Sequence, residues 1–350
     1  MSKRIAVVIS QSQSKNPAKR KLEEDIVVGL VMEPGIDVTV VPNLYDLKAD
    51  STGMLALKSI SGNVIVCGWM FERAAHWVLD RNGIFGHVGL VTLRDEDLDD
   101  DDEQEPIEEE EKDRVIDSRD IPNRKIYALD LRISNKAKTY IDEIKRIQSE
   151  NAAQVVDLGD LTQGISVAAT PAPAVSNGNG TEGNSHDVAA SAVNRIEGDS
   201  KRRWYPVIDY SRCTNCMECI DFCLFGVYGV DRIDTILVEE PDNCRKGCPA
   251  CSRVCPENAI MFPQHKTPGI AGSNEATASL KIDLSQLFGA PTEGKSAIEV
   301  AALERDEQLA LAGRETVGMS VGIAKRQDGK AEQPNDELDN LVDELNDLDL

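Results

Sequence analysis

Eight of the nine cysteines in this chain of 350 residues fall in two short runs, and their spacing restricts the fold more than any other feature. In each run, three cysteines lie within seven or eight residues and a fourth follows after three intervening positions: Cys213, Cys216, Cys219 and Cys223 in the first run, and Cys244, Cys248, Cys251 and Cys255 in the second. A short turn with a cysteine at about every third position can bind three iron corners of a 4Fe–4S cluster. The fourth corner then needs a cysteine from elsewhere in the chain. The spacing predicts two such clusters.

The segment from Trp204 to Pro263 resembles the bacterial-type ferredoxins that carry two 4Fe–4S clusters. An internal near-repeat accompanies the two runs, because Val207–Cys213 aligns with Val238–Cys244 and each half continues into an apolar segment. The resemblance implies a small β-α-β-β-α-β domain with a pseudo-twofold axis. In this family the last cysteine of each run binds the cluster of the other run. The resemblance therefore implies one cluster on Cys213, Cys216, Cys219 and Cys255, and a second on Cys244, Cys248, Cys251 and Cys223.

Two departures from the family pattern concern the loops. Leu224 follows Cys223 where the family usually has proline, which chiefly stiffens a turn. The second run opens with three intervening residues (245–247) where the family has two, and this insertion is predicted to reshape the loop around Cys244. Gly247 would give the longer loop the backbone freedom that it needs.

Two other uses of the cysteines are alternatives. Structural zinc sites use pairs of cysteines held apart by about a dozen residues or more, and they do not need three ligands in one short turn. Disulfides would require an oxidising compartment, and the apolar stretch Ile5–Ile9 is too short for a signal peptide. No stretch approaches the roughly 18 apolar residues of a membrane-spanning helix. We therefore expect a cytoplasmic protein without a membrane span.

The first part of the chain alternates predicted strands and helices. Apolar runs predict strands at 4–9, 36–41, 63–67, 87–93 and 125–131, and helical periodicity predicts helices at 18–32, 71–79 and 136–148. This alternation favours a parallel sheet covered on both faces. We expect a Rossmann- or flavodoxin-like domain over residues 1–165. In its helix at 71–79, Phe71, Ala75 and Val78 form the apolar side, which leaves His76 exposed.

Three further segments have the composition of irregular structure. Residues 95–118 form a predicted acidic loop whose like charges repel one another. Three interpretations are open: a solvated insertion, a docking arm for a basic partner, or a divalent-cation site. Residues 166–202 are rich in small and polar residues, which predicts a flexible linker before a cluster domain at 203–265. The tail at 266–350 is predicted to be mostly extended or disordered, with short helices at 296–311 and 336–349.

The charge of the chain narrows the choice of partners. A net charge of −23 makes nucleic acids and anionic membranes poor partners, because phosphate contacts need Lys and Arg. A redox partner with a basic docking surface fits better. The acidic helix predicted at 336–349 carries an apolar stripe, and it is a candidate docking element. Packing of this helix on the chain itself and disorder are the alternatives.

Two weaker site candidates lie at the predicted carboxyl edge of the sheet, where open α/β sheets bind ligands. The hydroxyls of Ser10, Ser12 and Ser14 precede a helix and could hold a phosphate, although the loop lacks the glycine of a flavodoxin phosphate loop and an ordinary polar turn also explains it. Cys67 ends the third strand, where a lone cysteine is typical of a buried apolar residue. A redox-active thiol is the alternative, and flavin is the second cofactor hypothesis.

Three functions are consistent with these patterns. The leading hypothesis is an electron carrier, or an electron-transfer subunit of an oxidoreductase, in which carboxylates such as Asp209 and Glu218 favour a low reduction potential. The alternatives are a flavin- or substrate-binding oxidoreductase fed by its own clusters, and a redox-sensing or assembly protein with structural clusters. The sequence contains no recognisable set of nucleophile, base and acid, which favours the non-catalytic carrier.

Overall fold

A computed structural model describes residues 4–93, 112–159, 193–198, 201–274 and 297–320. Within these residues, six strands form one sheet in which all neighbouring strands are parallel. The strands are β1 (Ile5–Ser10), β2 (Ile36–Val41), β3 (Val64–Gly68), β4 (His87–Val88), β5 (Lys125–Asp130) and β6 (Asn194–Arg195), and they lie in the order β4-β5-β3-β1-β2-β6. The parallel sheet confirms the predicted α/β class.

Helices cover both faces of this sheet. They are α1 (Pro17–Val31), α2 (Thr52–Lys58), α3 (Glu72–Arg81) and α4 (Ala137–Gly159). On one face, Ile26 of α1 and Ile144 of α4 belong to the same buried core as Val7 of β1. On the other face, Met54 of α2 and Val78 of α3 share a core with strand residues. The sequence did not predict α2, and α4 extends well beyond the predicted end at residue 148.

The fourth strand is shorter than the predicted strand at 87–93. Residue pairing with β5 ends at Val88, and Gly89 N still donates to the Ile126 carbonyl oxygen at 2.8 Å. Thr92 donates hydrogen bonds from its backbone N and from Oγ1 to the Glu143 carboxylate of α4, at 2.8 and 2.7 Å. These bonds draw the end of the predicted strand away from the sheet.

The sixth strand lies inside the predicted linker at 166–202. Asn194 and Arg195 pair with Thr39 and Val40 of β2. The Arg195 guanidinium also donates two hydrogen bonds to Glu24 of α1, at 2.8 and 2.6 Å. Part of the predicted linker is therefore the edge strand of the sheet.

The cysteine-bearing segment consists of short elements in the order strand, helix, strand, strand, helix, strand. These are β7 (Val207–Ile208), α5 (Glu218–Phe222), β8 (Tyr228–Val230), β9 (Ile236–Val238), α6 (Ala250–Val254) and β10 (Ile260–Met261). β7 pairs with β10, and β8 pairs with β9, both antiparallel. Two helices follow, α7 (Pro268–Ala271) and α8 (Ala297–Leu311). Among the described residues, no helix combines the length and the apolar composition that crossing a bilayer requires.

The cysteine-bearing segment shares a core with the parallel sheet. Tyr205, Val207 and Met261 are buried in the cluster that α2 and α3 form on their face of the sheet. The rings of Tyr45 and Tyr205 stack with centroids 4.2 Å apart, and Tyr205 Oη donates to the Tyr45 carbonyl oxygen at 2.8 Å. The two parts, which we expected to be divided by a linker, are thus packed together.

Helix α3 lies between the sheet and the cysteine-bearing segment. Arg73 on this helix pairs with Asp209 at 2.5 Å and donates from Nη2 to the Asn258 carbonyl oxygen at 2.6 Å. His76 was predicted to be exposed, but it is buried, and Asp209 of the cysteine-bearing segment, Arg119 and His87 lie near it. Burial lowers the pKa of His76 to about 4, with the nearby Arg119 adding to the effect.

The end of the predicted acidic loop contacts the first cysteine loop. Residues Val115–Ser118 form a 3-10 helix, in which Val115 N donates to the Cys213 carbonyl oxygen at 2.9 Å. Arg114 donates to the Arg212 carbonyl oxygen at 2.6 Å. The rest of the acidic loop, most of the predicted linker and the predicted helix at 336–349 lie outside the described residues.

Candidate metal centre

The eight cysteines of the two runs line two small, mostly apolar cavities. The first cavity lies between the loop after β7, α5 and the end of α6. Its lining includes Cys213, Cys216, Cys219 and Cys255, together with Glu218 and Glu257.

The second cavity lies between the end of α5, the loop before α6 and α6 itself. Its lining includes Cys223, Cys244, Cys248 and Cys251, together with Phe225 and Arg305. Each cavity thus takes three thiols from one run and the last thiol of the other run. These two groups coincide with the ligand sets that the ferredoxin resemblance implies.

Left-handed backbone conformations wrap the cysteine loops around the cavities. Asn215 and Met217 have φ of 59° and 64°, a region that costs a residue other than glycine about 1–3 kcal/mol. In the longer second loop, Gly247 has φ of 89°, and a Cβ at that position would meet no atom within 4 Å. Glycine is therefore required there for backbone conformation and not for space.

Backbone amides point at sulfur atoms of the first group. Asn215 N donates to Cys213 Sγ at 3.4 Å, and Ala259 N donates to Cys255 Sγ at 3.3 Å. Such bonds stabilise anionic sulfur. Burial has the opposite effect, and it raises the pKa of the Cys248 and Cys255 thiols to about 11. A metal centre bound in these cavities would require the thiols to give up their protons.

The residues fit the cofactor that the spacing implies. Each cavity offers four thiols and an apolar wall, and thiolates are the ligands that hold iron–sulfur clusters. Backbone amides also bond to sulfur in both groups, as at Cys213 and Cys255 in the first and at Cys223 and Cys248 in the second. In the described part of the chain, no three His, Cys, Asp or Glu side chains converge as the ligands of a single ion do. The four thiols of each group instead stand around a cavity.

A polar cleft of about 290 Å³ lies at the carboxyl ends of β1 and β3. These two strands mark the point where the connections change direction, which is where doubly wound sheets bind ligands. Ser12 and Ser14 line the cleft, together with Lys19, Trp69 and Arg202. Ser14 N donates to Ser12 Oγ at 3.1 Å, so the loop already uses part of its own hydrogen-bonding capacity.

The other two weaker candidates do not line the cleft. Ser10 is fully buried, and its Oγ accepts a hydrogen bond from Leu44 N at 2.8 Å, which is a structural role. Cys67 is also fully buried among apolar side chains, and burial raises the pKa of its thiol to about 12. A thiol that stays protonated is a poor nucleophile.

Sequence reasoning missed two charged residues at the cavities. Glu257 could have been noticed from its position two residues after Cys255. Arg305 lies 50 residues after the same cysteine, and no local pattern connects it with the second cavity.

Comparison with curated proteins finds a similar protein from Methanocaldococcus jannaschii, which is described as an uncharacterized ferredoxin. The two sequences are 50% identical over 66 residues, which make up 19% of this chain and 44% of that protein. The match thus spans less than half the length of this relative. No family model matches the chain, and no solved structure matches it. The chain therefore contains a ferredoxin-like region.

Proposed function

We propose that this chain is an iron–sulfur electron-transfer protein that relays single electrons between two 4Fe–4S clusters and a partner oxidoreductase. The proposed ligands are Cys213, Cys216, Cys219 and Cys255 for the first cluster, and Cys223, Cys244, Cys248 and Cys251 for the second. The observation that carries the proposal is the grouping of eight thiols, four and four, around two apolar cavities. The ferredoxin-like region supports the same function.

The chain itself would bind the clusters, exclude water and adjust their charge. Bound clusters supply one-electron redox chemistry. Apolar walls limit solvent access, and the amides of Asn215 and Ala259 offset negative charge on sulfur. The net charge of −23 favours a partner with a basic docking surface, since opposite potentials speed encounter. Free thiols of this kind persist in a reducing compartment such as the cytoplasm.

Anaerobic purification followed by iron and acid-labile sulfide analysis tests the proposal. We expect about eight iron and about eight sulfide per chain, as two 4Fe–4S clusters require. Cys219→Ser should lose about half of the iron, because one ligand group becomes incomplete. Cys67→Ser is the matched control, and it should keep all of the iron because its thiol lies in the core of the sheet.

Three results would contradict the proposal. Zinc without sulfide would exclude electron transfer through clusters. About four iron in the wild type would leave a single cluster. Unchanged iron and unchanged EPR signals in Cys219→Ser would refute the ligand assignment.

A second candidate function is a flavin- or substrate-binding oxidoreductase supplied by its own clusters. The polar cleft favours it, because Tyr45 lines the cleft and belongs to a core against which Cys244 packs. The volume of the cleft, about 290 Å³, lies just below the range for small-molecule sites, which begins at about 300 Å³. Flavin absorbance in the supernatant of denatured protein would support this function. A colourless supernatant would refute its flavin form.

A further inference from the structure

Helix α8 covers one side of the second thiol cavity. Its Ala301 is buried against Phe222 and Val254 of the cysteine-bearing segment. Glu304 accepts two hydrogen bonds from the Arg253 guanidinium of α6, at 2.9 and 3.0 Å. These contacts fix the helix beside the cavity.

Arg305 of this helix brings a positive charge to the cavity wall. Its side chain is 1% exposed, and it lines the cavity together with the four thiols. The guanidinium lies 4.6 Å from the centre of the Phe222 ring. Nη2 donates to the Gly318 carbonyl oxygen at 2.5 Å, and Nε pairs with Asp306 at 3.3 Å. The cation is thus held in place from its own segment of the chain.

The first cavity has the opposite charge in its lining. Glu218 and Glu257 line it, and none of the described residues in its lining is cationic. Glu257 pairs with Lys112 and Arg114 at 2.7 and 3.2 Å, which offsets part of its charge. Charges of the other sign also lie near single thiols, since Arg114 is near Cys213 and Glu304 is near Cys248. The two groups nevertheless differ in the cavity lining itself, which includes two carboxylates in the first and a buried cation in the second.

We propose that Arg305 raises the reduction potential of the cluster on Cys223, Cys244, Cys248 and Cys251 above that of the other cluster. This inference rests on the two-cluster function proposed above. Reduction makes an anionic cluster more negative, and a buried cation lowers the free energy of the reduced form. In a chain that carries one electron, the first cluster is oxidised and the cluster beside α8 is reduced.

Redox titration followed by EPR, on the anaerobically purified full chain, tests this assignment. We expect Arg305→Gln to lower the equilibrium constant for reduction of one cluster at least tenfold, which is about 59 mV for one electron. The affected signal should be the one that Cys248→Ser degrades. Arg314→Gln is the matched control: this arginine is exposed in the same segment and donates to the Leu224 carbonyl oxygen at 2.8 Å. Because its charge is exposed to water and screened by salt, this substitution should shift the potential of that cluster much less than Arg305→Gln does.

Asp306→Asn provides a second arm with the opposite sign. Removing the carboxylate that pairs with Arg305 should raise the potential of the same cluster. If Arg305→Gln loses its iron, the Asp306→Asn variant tests the role of Arg305 instead. A higher reduction potential of the cluster beside α8 would support this role, and an unchanged potential would refute it.

Two outcomes would overturn the role of Arg305 and leave the two-cluster function intact. One is full iron content with unchanged potentials in Arg305→Gln. The other is an equal fall of both potentials, because a general charge effect would act on both clusters. A wild-type chain without iron would instead refute the proposed function itself.

Discussion

Arg73→Met removes the guanidinium that joins α3 to the strand leading into the first cysteine loop. Arg73 and Asp209 are both almost fully buried, with side-chain exposures of 5% and 2%. The Asp209 carbonyl oxygen also accepts hydrogen bonds from Arg212 N and Cys213 N, at 3.1 and 3.0 Å. The substitution therefore leaves the buried Asp209 carboxylate without its main cation, four positions before Cys213.

The expected loss of unfolding free energy is about 3 kcal/mol. Breaking a buried ion pair by removing one partner costs about 3–5 kcal/mol. The lower end applies here, because Arg212 Nε remains 3.7 Å from the Asp209 carboxylate and Ser211 N still donates to it at 2.9 Å. With a urea dependence of about 3 kcal/mol per M, the midpoint should fall by about 1 M.

Urea unfolding is the suitable assay, because guanidinium chloride would screen the ion pair. The control is Arg4→Met, which breaks an exposed pair with Asp37 at 3.1 Å and should cost less than about 1 kcal/mol. The double variant Arg73→Met/Asp209→Asn should cost less than the sum of the two single variants. A loss below about 1 kcal/mol in Arg73→Met would refute the tight packing of the cysteine-bearing segment on α3.

Two further predictions concern titratable groups on α3. Burial raises the pKa of Glu72 from 4.5 to about 7, and the nearby Asp130 and Glu143 carboxylates add to the shift. The contribution of Glu72 to the free energy of unfolding is therefore full below pH 4.5 and is lost as the pH rises through 7. Glu72→Gln should therefore be more stable than the wild type by about 1–2 kcal/mol at pH 8 and no more stable at pH 4, as thermal unfolding at both pH values would show. The lowered pKa of His76 makes stability fall as the pH falls. Between pH 6.5 and about 4, the imidazole binds a proton in the unfolded chain but not in the folded chain, and this difference costs about 3 kcal/mol of stability. The urea midpoint should therefore fall less between pH 7 and pH 4.5 in His76→Gln than in the wild type. An equal fall in the two proteins would contradict the argument.

The elements with strong local signals were predictable from the sequence. β1 is apolar from Ile5 to Ile9, and β2 alternates apolar residues with Asp37 and Thr39. α1 begins where Pro17 follows Asn16, whose side chain accepts a hydrogen bond from Ala18 N at 2.9 Å. The spacing of the cysteines likewise predicted that the first three thiols of each run lie together, because they fall within seven or eight residues. The fourth thiol of each group was predicted from the resemblance to two-cluster ferredoxins and not from the spacing.

The packing of distant segments was not predictable in the same way. Tyr45 and Tyr205 are separated by 160 positions, and no periodicity indicates that their rings stack. His76 was assigned to the exposed side of its helix because a helix with one apolar stripe normally buries one face. Here a second layer covers the polar side, where Arg73 meets Asp209. The contact of Arg305 with the second cavity has the same origin, since it depends on where a distant helix returns to the fold.

The crossed sharing of thiols makes the two halves of the cysteine-bearing segment inseparable. Either half by itself would hold three thiols around its own cavity and a fourth with no cavity to complete. A chain with one such half would need a second copy, and each copy would supply its last cysteine to the cavity of the other. That exchange is reciprocal, as contacts across a twofold axis are. The antiparallel pairing of β7 with β10 brings the two ends of the segment together and keeps the exchange within one chain.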